Sequence, residues 1–499
     1  MSTLPAQPVI HEVNTRVWLR ETARRTGQAA GHPAGLAEVP KDAWDELTPP
    51  GVDAVWLMGV WERSPRGRSI ALDDPSLRTA FAEAIPGIGE RDIAGSPYCI
   101  RRYEADPALG GPEGLAAARA ELDRRGVGLL LDYVPNHVAP DSPWVSEHPE
   151  FFVRGGAADV RRDPAAFLDT GRAVLARGRD PFFPPWPDVV QLDAFAPALR
   201  RATAQVLDGI GRICDGVRCD MAMLLMNDVF ARTWGERVGA PPAQDFWPEV
   251  ITAVRDRHPR MVFAAEAYWD LEWPLQQQGF DFCYDKRLYD RLLHEDAASV
   301  RSHLRADERY QRGLVRFLEN HDEPRAAHTL SPAKERAAAV LIATLPGATL
   351  WHEGQFTGRR VHLPVFLDRR PDEPVDQALR AFHEHLLARV HGSGMRTGRW
   401  RLLDCAGWPD NDSARHLVAS CWSGPAGRFL TVVNLSGRQA QARVRLPWGE
   451  LGEGAWELTD LLLSHRYGRS GAELLGSGLY VDLPPWGAHL LSAEAPGGR

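Results

Sequence analysis

The sequence lacks the features that would tie the chain to a structural metal, a membrane or a redox framework. Its six cysteines form no Cys-x-x-Cys pair, so neither a zinc site nor a disulfide framework is predicted, and we expect small buried thiols. No apolar run is long enough to span a bilayer, and the segment Met1–Pro8 has no hydrophobic stretch of the signal-peptide kind. We therefore predict a soluble protein of a reducing compartment, the cytoplasm.

The sequence also has no large excess of positive or negative charge. The net charge of −8 is modest for 499 residues, and no basic stripe or block of like charge occurs. Neither nucleic acid nor an anionic membrane is therefore predicted as a partner, and a small molecule is expected instead. The length exceeds one ordinary domain, whereas an eightfold barrel takes about 250 to 400 residues. One large and one smaller domain are expected, and the oligomeric state is left open.

The stretch Cys214–Asp220 is the centre of the sequence. It follows a segment of helical periodicity, Pro197–Ile213, and its strand-like run ends on Arg218 and Asp220, two residues apart. This spacing puts both side chains on one side of a strand. Two charges at the end of a buried strand are costly unless they pair with each other or with a substrate. Taken alone, the stretch is explained equally well by a structural ion pair.

Three other strand-like runs also close on polar, titratable residues. They are Leu129–His137, Met261–Glu266 and Val315–Asp322. In a parallel barrel the carboxyl ends of all strands point to one face. The four runs are therefore predicted to bring their polar ends into a single pocket.

The order and spacing of these polar residues resemble the four signature regions of the alpha-amylase superfamily of retaining glycoside hydrolases. Four ordered motifs are far more specific than any one of them, and the resemblance covers most of the chain. It implies an α/β fold with a (β/α)8 TIM barrel, acting on alpha-glucosidic bonds through a covalent glycosyl-enzyme intermediate. The matching residues are Asp132, Asn136, His137, Gly216–Asp220, Glu266, Asn320, His321 and Asp322.

The resemblance assigns roles to three carboxyl groups. Retaining hydrolysis needs one ionised carboxylate as the nucleophile and one protonated carboxyl as the acid, about 5–5.5 Å apart. By resemblance Asp220 is the nucleophile and Glu266 is the acid/base. Asp322 matches the carboxylate that binds the ring hydroxyls of the reacting sugar. Arg218, two residues before Asp220, is expected to keep the nucleophile ionised.

The resemblance also names groups around the sugar. Tyr98 matches a tyrosine that stacks on the reacting sugar, and His137 and His321 match histidines that contact it. Tyr268 belongs to an aromatic loop beside the acid. Asn136 matches an asparagine that often helps to bind calcium. Calcium is therefore the one cofactor that the resemblance allows, although none is required for the reaction.

Hydrophobic periodicity divides the chain into a catalytic barrel, residues 1–394, and a C-terminal antiparallel β-sandwich, residues 395–499. A short inserted subdomain, 138–195, interrupts the barrel after its third strand. The long connection Gly59–Pro107 is expected at the rim of the site. The barrel strands are predicted within Pro8–Leu19, Val52–Met58, Val127–Tyr133, Gly216–Asp220, Met261–Glu266, Asp281–Tyr284, Leu314–Leu318 and Ala348–Trp351.

One departure from the superfamily pattern bears on substrate size. Many amylases carry a lysine-histidine pair shortly after the nucleophile, and Met223 and Leu224 stand at those places here. The run Met221–Met226 is expected to offer an apolar surface instead. Together with the short insertion, this favours short alpha-glucans or alpha-glucosides over starch.

Two other functions stay open. A transglycosylase or a phosphate-using glucosyl or maltosyl transferase of the same superfamily would pass the same intermediate to another acceptor. The segment Ala139–Glu150 resembles one found in such maltosyltransferases, but the residues after Asp220 lack their Asn-Pro-His run. A non-catalytic carbohydrate-binding or partner module is the least favoured, because such proteins have lost the carboxylates that this chain retains.

Overall fold

Eight parallel strands close into a barrel in which each strand pairs with its neighbours in chain order. The computed structural model describes residues 4–27, 35–452 and 454–495. The barrel predicted from the sequence is therefore confirmed. The strands are β1 Val9–Asn14, β2 Ala54–Met58, β3 Gly128–Tyr133, β4 Gly216–Cys219, β5 Val262–Ala265, β6 Phe282–Tyr284, β7 Leu314–Arg316 and β8 Ala348–His352.

Each barrel strand is buried on both faces. Ile10, Trp56 and Leu130 belong to one buried cluster, whereas alternate residues such as Val55 and Leu129 belong to the larger core that includes the helices. Because successive strand residues point to opposite faces, the first set fills the barrel and the second packs against the helical layer. Strands buried in this way read as continuous apolar runs.

The same alternation carries polar side chains into the barrel near its carboxyl end. Glu12 lies two residues after Ile10, and Asp132 lies two residues after Leu130, so each points inward. Arg218 on β4 pairs in register with Asp132. Glu12, Asp132 and Arg218 are at most 2% exposed. The barrel interior therefore changes from apolar to charged at the end where the candidate site lies.

The predicted first strand was wrong beyond its seventh residue, Asn14. β1 ends at Asn14, and Thr15–Arg25 is an α-helix. The side chain of Asn14 accepts a hydrogen bond from the backbone N–H of Val17 at 3.4 Å, which caps the helix. The helix buries Val17, Trp18 and Leu19, and the prediction extended the alternation of Val9, His11 and Val13 too far along the chain.

The helices begin where the sequence provides capping groups. Ser331 accepts from the N–H of Lys334, and Asp376 accepts from the N–H of Leu379. No helix in the described ranges combines the length and apolarity needed to cross a membrane. The α-helices are Thr15–Arg25, Lys41–Leu47, Pro65–Asp73, Pro75–Ala84, Gly111–Arg124, Pro143–Glu147, Ala157–Arg162, Pro197–Gly211, Asn227–Trp234, Phe246–Arg255, Glu272–Gln277, Lys286–His294, Ala297–Leu304, Glu308–Arg312, Ala326–Thr329, Pro332–Thr344, Gln377–Ser393 and Gly471–Gly476.

Two excursions from the barrel contain regular structure of their own. The connection after β2 holds the strand pair Trp61–Arg63 and Ile100–Ala105, separated by two of the helices above. The insertion after β3 pairs His137–Val138 with Val190–Gln191. Its own small sheet consists of Arg154–Gly155, Phe167–Asp169 and Val174–Ala176.

The C-terminal part forms two antiparallel sheets, which confirms the predicted sandwich. The strand Leu417–Gly424 was not predicted, because its first six residues are all buried and show no alternation. The six-stranded sheet runs Arg399–Leu403, Leu417–Gly424, Gly427–Asn434, Ala488–Glu494, Ala455–Asp460, Arg466–Ser470 in spatial order, and the smaller sheet runs Cys405–Ala406, Ala440–Val444, Leu479–Leu483.

Trp422 joins the larger sheet to the barrel, and its replacement should destabilise the protein. Its indole N–H donates to the carbonyl oxygen of Thr344 at 2.7 Å, and its side chain is fully buried. We expect Trp422→Ala to lower the free energy of unfolding by about 3–5 kcal/mol. Tyr480→Ala, at an exposed position, is the control and should cost about 0.5 kcal/mol or less. Urea unfolding that gives equal losses for both variants would contradict this role.

Candidate active site

A buried arginine holds two of the predicted catalytic carboxylates. The guanidinium of Arg218 lies 2.7 Å from Asp220 Oδ1 through Nη1 and 2.9 Å from Glu266 Oε2 through Nη2. Asp132 Oδ1 is 3.7 Å from Nη1. A cation that is 2% exposed is tolerated only when its charge is compensated. The three carboxylates supply that compensation.

Aromatic rings close the space around this guanidinium. Its carbon lies 5.3 Å from the ring centre of Trp56, 5.2 Å from that of Tyr98 and 5.8 Å from that of Tyr284. Such contacts favour a cation over the ring faces. They also exclude water, which strengthens each ion pair that Arg218 makes.

Glu266 is poised to carry a proton near neutrality. Burial raises the pKa of its carboxyl to about 7, against the opposing charge of Arg218 and with a further increase from Asp220 and Asp322. The backbone N–H of Met221 donates to Oε2 at 2.6 Å, and the hydroxyl of Tyr268 donates to Oε1 at 3.1 Å. The predicted acid is therefore fixed in position, and its raised pKa distinguishes it from Asp322, whose pKa is lowered.

Asp322 remains ionised beside a histidine. Its side chain is 44% exposed, and Oδ2 lies 3.0 Å from Nε2 of His321. Although burial acts to raise the pKa of Asp322, the charge and hydrogen bond of His321 lower it to about 2. The hydroxyl of Tyr98 lies 2.7 Å from the same Nε2. Tyr98, His321 and Asp322 are thus one hydrogen-bonded group, as their shared predicted role requires.

His137 and Asn136 lie where the insertion leaves the barrel. The ring of His137 packs edge-on against Trp186 at 5.3 Å, and burial lowers its pKa while the charge of Asp220 acts to raise it. His137 therefore lies near Asp220 and is favoured as the neutral imidazole. The predicted site residues from β3, β4, β5 and the loops after β2 and β7 thus share one pocket at the carboxyl end of the barrel.

Sequence analysis missed Glu12. This carboxylate is fully buried on β1, and Oε1 lies 2.5 Å from Nδ1 of His321. The signal was present, since an acidic residue at an inward position of a predicted barrel strand needs a partner. The strand prediction extended to Leu19, which obscured how close Glu12 is to the strand end.

An exposed aromatic rim, formed by Phe182, Phe183 and Trp269, was also not predicted as a unit. The ring centres of Phe182 and Trp269 are 4.9 Å apart at 75°, so the insertion contacts the loop that follows the acid. Trp269 has a φ of 62°, a left-handed conformation that is costly for a bulky residue. Phe182 and Phe183 are each 68% exposed and Trp269 is 38% exposed, which leaves their faces available to a ligand.

The known proteins that the chain resembles include alpha-amylases and a maltosyltransferase. It is 26% identical over 364 residues to the alpha-amylase MalA of Haloarcula japonica, covering 70% of this chain and 45% of that one. It is 23% identical over 490 residues to the alpha-1,4-glucan:maltose-1-phosphate maltosyltransferase of Bifidobacterium longum, covering 92% and 58%. The crystal structure of the noncanonic maltogenic alpha-amylase AmyB from Thermotoga neapolitana matches 98% of both chains with a TM-score of 0.70 and 21% identity.

The chain resembles enzymes of the alpha-amylase superfamily over most of its length. No protein family model matches it, and its subfamily is not resolved, because an amylase and a transferase are both among its relatives. The chain spans about half the length of the curated relatives it matches, 45% and 58%. The likeness to AmyB shows the fold.

The residues around Asn136 do not fit a calcium ion. The amide N–H of Gln191 donates to both Asn136 Oδ1 and the Asn136 carbonyl oxygen, each at 2.9 Å. These are the oxygens that a cation would need, and hard cations prefer several carboxylate or carbonyl oxygens that face them. Within the described ranges, no group of three or more histidine, cysteine, aspartate or glutamate residues is placed to hold a metal ion. Calcium binding therefore stays a prediction that the local hydrogen bonds oppose.

The prediction that Met221–Met226 offers an apolar surface was wrong. Met223 and Leu224 are 0% and 3% exposed and belong to the main core. The segment turns inward because Met221 adopts a left-handed φ of 43° directly after the nucleophile. The run therefore presents to a ligand neither the cationic pair of many amylases nor an apolar face.

The stability of the protein should not depend on calcium. Gln191 already satisfies the oxygens of Asn136, so added calcium finds no binding energy there to stabilise the folded state. We expect the melting temperature to be the same in excess chelator and in millimolar calcium chloride. A melting temperature that rises with the calcium concentration would contradict this, and its loss in Asn136→Ala would place the ion at Asn136.

Proposed function

We propose that this protein is a retaining glycosidase of alpha-glucosidic bonds, with Asp220 as the nucleophile and Glu266 as the acid/base. The observation that carries the proposal is the sharing of one buried guanidinium by both carboxyl groups. Arg218 favours the ionised form of each, yet burial and two neighbouring carboxylates raise the pKa of Glu266 to about 7. One ionised and one protonated carboxyl is the state that the first half of retaining hydrolysis needs.

The proposed reaction has two displacement steps. Asp220 attacks the anomeric carbon while Glu266 gives its proton to the departing glycosidic oxygen. Since Arg218 pairs with Oδ1, Oδ2 is assigned as the attacking oxygen. In the second step Glu266, now ionised, removes a proton from water, which attacks the glycosyl-enzyme ester and releases Asp220. Asp322 binds ring hydroxyls, and this bond strengthens as positive charge develops on the sugar.

The acceptor in the second step could instead be a sugar or phosphate. The similarity to a maltosyltransferase over 92% of this chain supports that second candidate. The aromatic rim also supports transfer, because stacked sugar faces can hold an acceptor that displaces water. Hydrolysis and transfer share every residue named above, so product analysis distinguishes them.

We infer a preference for short alpha-glucosides. Met223 and Leu224 are buried, so no side chain from those positions binds sugar hydroxyls on the leaving-group side. Unpaired hydroxyls in a closed subsite cost about 1–3 kcal/mol each. The aromatic rim contributes stacking beyond the first leaving-group sugar, but stacking offers few hydrogen bonds. We therefore expect the pocket to bind one or two ordered sugars on this side.

Replacing Asp220 or Glu266 should abolish turnover, and the two variants should fail for different reasons. Asp220→Ala removes the covalent step and should lower kcat by about four orders of magnitude or more. Glu266→Ala should regain part of its activity with azide on an activated 4-nitrophenyl alpha-glucoside, because azide needs no proton removed. Asp228→Ala, at an exposed position, is the matched control for folding. An Asp220→Ala enzyme with a tenth of the wild-type activity would refute the assigned nucleophile.

Products and chain-length dependence test the substrate class. The wild-type protein is incubated with maltose through maltoheptaose, soluble starch and maltose 1-phosphate, the last with and without a glucan acceptor. We expect kcat/KM to level off at short oligosaccharides, since few leaving-group sugars are bound. An efficiency that rises with chain length and peaks on starch would contradict the pocket. Free phosphate with an extended glucan would identify a transferase.

A further inference from the structure

Glu12 is a buried carboxylate whose nearest cationic partner is a site histidine. It is 0% exposed, and Oε1 lies 2.5 Å from Nδ1 of His321. Among the described residues, no hydrogen-bond partner reaches its other oxygen, Oε2. An ionised carboxylate buried in this way is stable only beside a positive charge. The one side-chain hydrogen bond that the described residues supply to this carboxylate comes from His321, so the charge state of that ring governs how well the buried Glu12 is tolerated.

The opposite side of the His321 ring faces a second carboxylate. Nε2 lies 3.0 Å from Asp322 Oδ2 and 2.7 Å from the hydroxyl of Tyr98. A neutral imidazole carries one N–H, whereas donation to Glu12 and to Asp322 requires a hydrogen on each ring nitrogen. The tyrosine hydroxyl can rotate to donate elsewhere, but the two carboxylates can only accept. The two carboxylates therefore favour the imidazolium form, in which both ring nitrogens carry a hydrogen.

The remaining surroundings agree with a cationic ring. Trp56 packs edge-on against it at 5.5 Å, and Tyr98 is stacked on it at 5.4 Å. Burial acts to lower the pKa of His321, but Asp322 and Glu12 raise it well above its ordinary value. Asp132 and His352 also face the ring itself. Its two carboxylate partners meet further titratable or charged groups, which are His11, Tyr284 and His352 beside Glu12, and Arg218, Glu266, Tyr268 and His362 beside Asp322.

We propose that Glu12 is a positioning residue that holds His321 as an imidazolium, so that Nε2 fixes Asp322 and presents a donor to the reacting sugar. This role rests on the proposed glycosidase function. Glu12 acts through His321 and does not itself touch the substrate. Glu12 on β1 thereby contacts the loop that follows β7. In the closed barrel β1 and β7 lie on the two sides of β8.

The proposal fixes the direction of a pH effect. A raised pKa means that the imidazolium is present at low pH and is lost as the pH rises through the raised value. Loss of the Glu12 charge should lower the pKa of His321 by about 1–3 units. The basic limb of activity should then move to lower pH by a similar amount.

The titration of His321 can be measured without any activity. Protein labelled with 15N in the histidine ring is titrated by NMR, and the His321 signals are assigned by their loss in His321→Asn. We expect wild-type His321 to carry a proton on both nitrogens through pH 8. In Glu12→Gln, where the amide oxygen can still accept, we expect it to become neutral at a pH lower by one unit or more. Glu335→Gln is the control, because Glu335 is also buried but has Glu319, Arg325, Arg336 and Asp376 as its charged neighbours instead of His321.

Kinetics on alpha-maltosyl fluoride give the second readout. Fluoride departs without protonation, so the basic limb of kcat/KM no longer reports the loss of the proton from Glu266. We expect this limb to shift to lower pH in Glu12→Gln and to stay in place in Glu335→Gln. If the wild-type protein does not turn over the fluoride, the proposed function fails, whereas the NMR titration still tests Glu12.

Two results would overturn the proposal. One is a neutral His321 ring at pH 7 in the wild-type protein, and the other is an unchanged His321 titration in Glu12→Gln. If Glu12→Gln does not fold, Glu12→Asp replaces it, because the shorter side chain keeps the charge. That variant should retain the imidazolium at pH 7 while KM rises, and a neutral ring in it would also refute the proposal.

Discussion

A single buried guanidinium organises the pocket. Arg218 is removed from water by strand packing and three aromatic rings, and it stays charged because acidic groups surround it. Each acid is in turn held where it is by this cation. Removing one partner would leave an uncompensated buried charge, which is far more costly than losing an ordinary contact. The catalytic geometry and the stability of the barrel end therefore depend on the same group.

The carboxyl groups of Glu266 and Asp322 differ in protonation state because their surroundings differ. Glu266 lies deep, meets two neighbouring carboxylates and remains partly protonated near neutrality. Asp322 reaches the pocket mouth, has His321 as its neighbour and is ionised across the physiological range. A fold that places like groups at different depths can thus give them different chemistry. The strand ends of a parallel barrel provide such a range of depths.

Much of this arrangement could be predicted from the sequence. Strand ends such as Leu129–Asp132 and Val217–Asp220 carry both the apolar run that defines a barrel strand and the polar residue that follows it. What could not be predicted depends on distant pairing. The contact between Glu12 and His321 spans 309 residues, so the position of Glu12 on its strand indicates that a partner is needed but not which residue it is. Likewise, the left-handed turn at Met221 sends Met223 and Leu224 into the core, and composition alone suggested a surface.

The 309-residue separation between Glu12 and His321 also has a consequence for biosynthesis. The acidic partner is synthesised on the first barrel strand, whereas the histidine follows only after seven barrel strands have been made. Until then the hydrogen-bonded partner of Glu12 is missing, and burying the carboxylate in the barrel would be costly. The last strands of the barrel therefore have to be made before Glu12 can be buried with its partner.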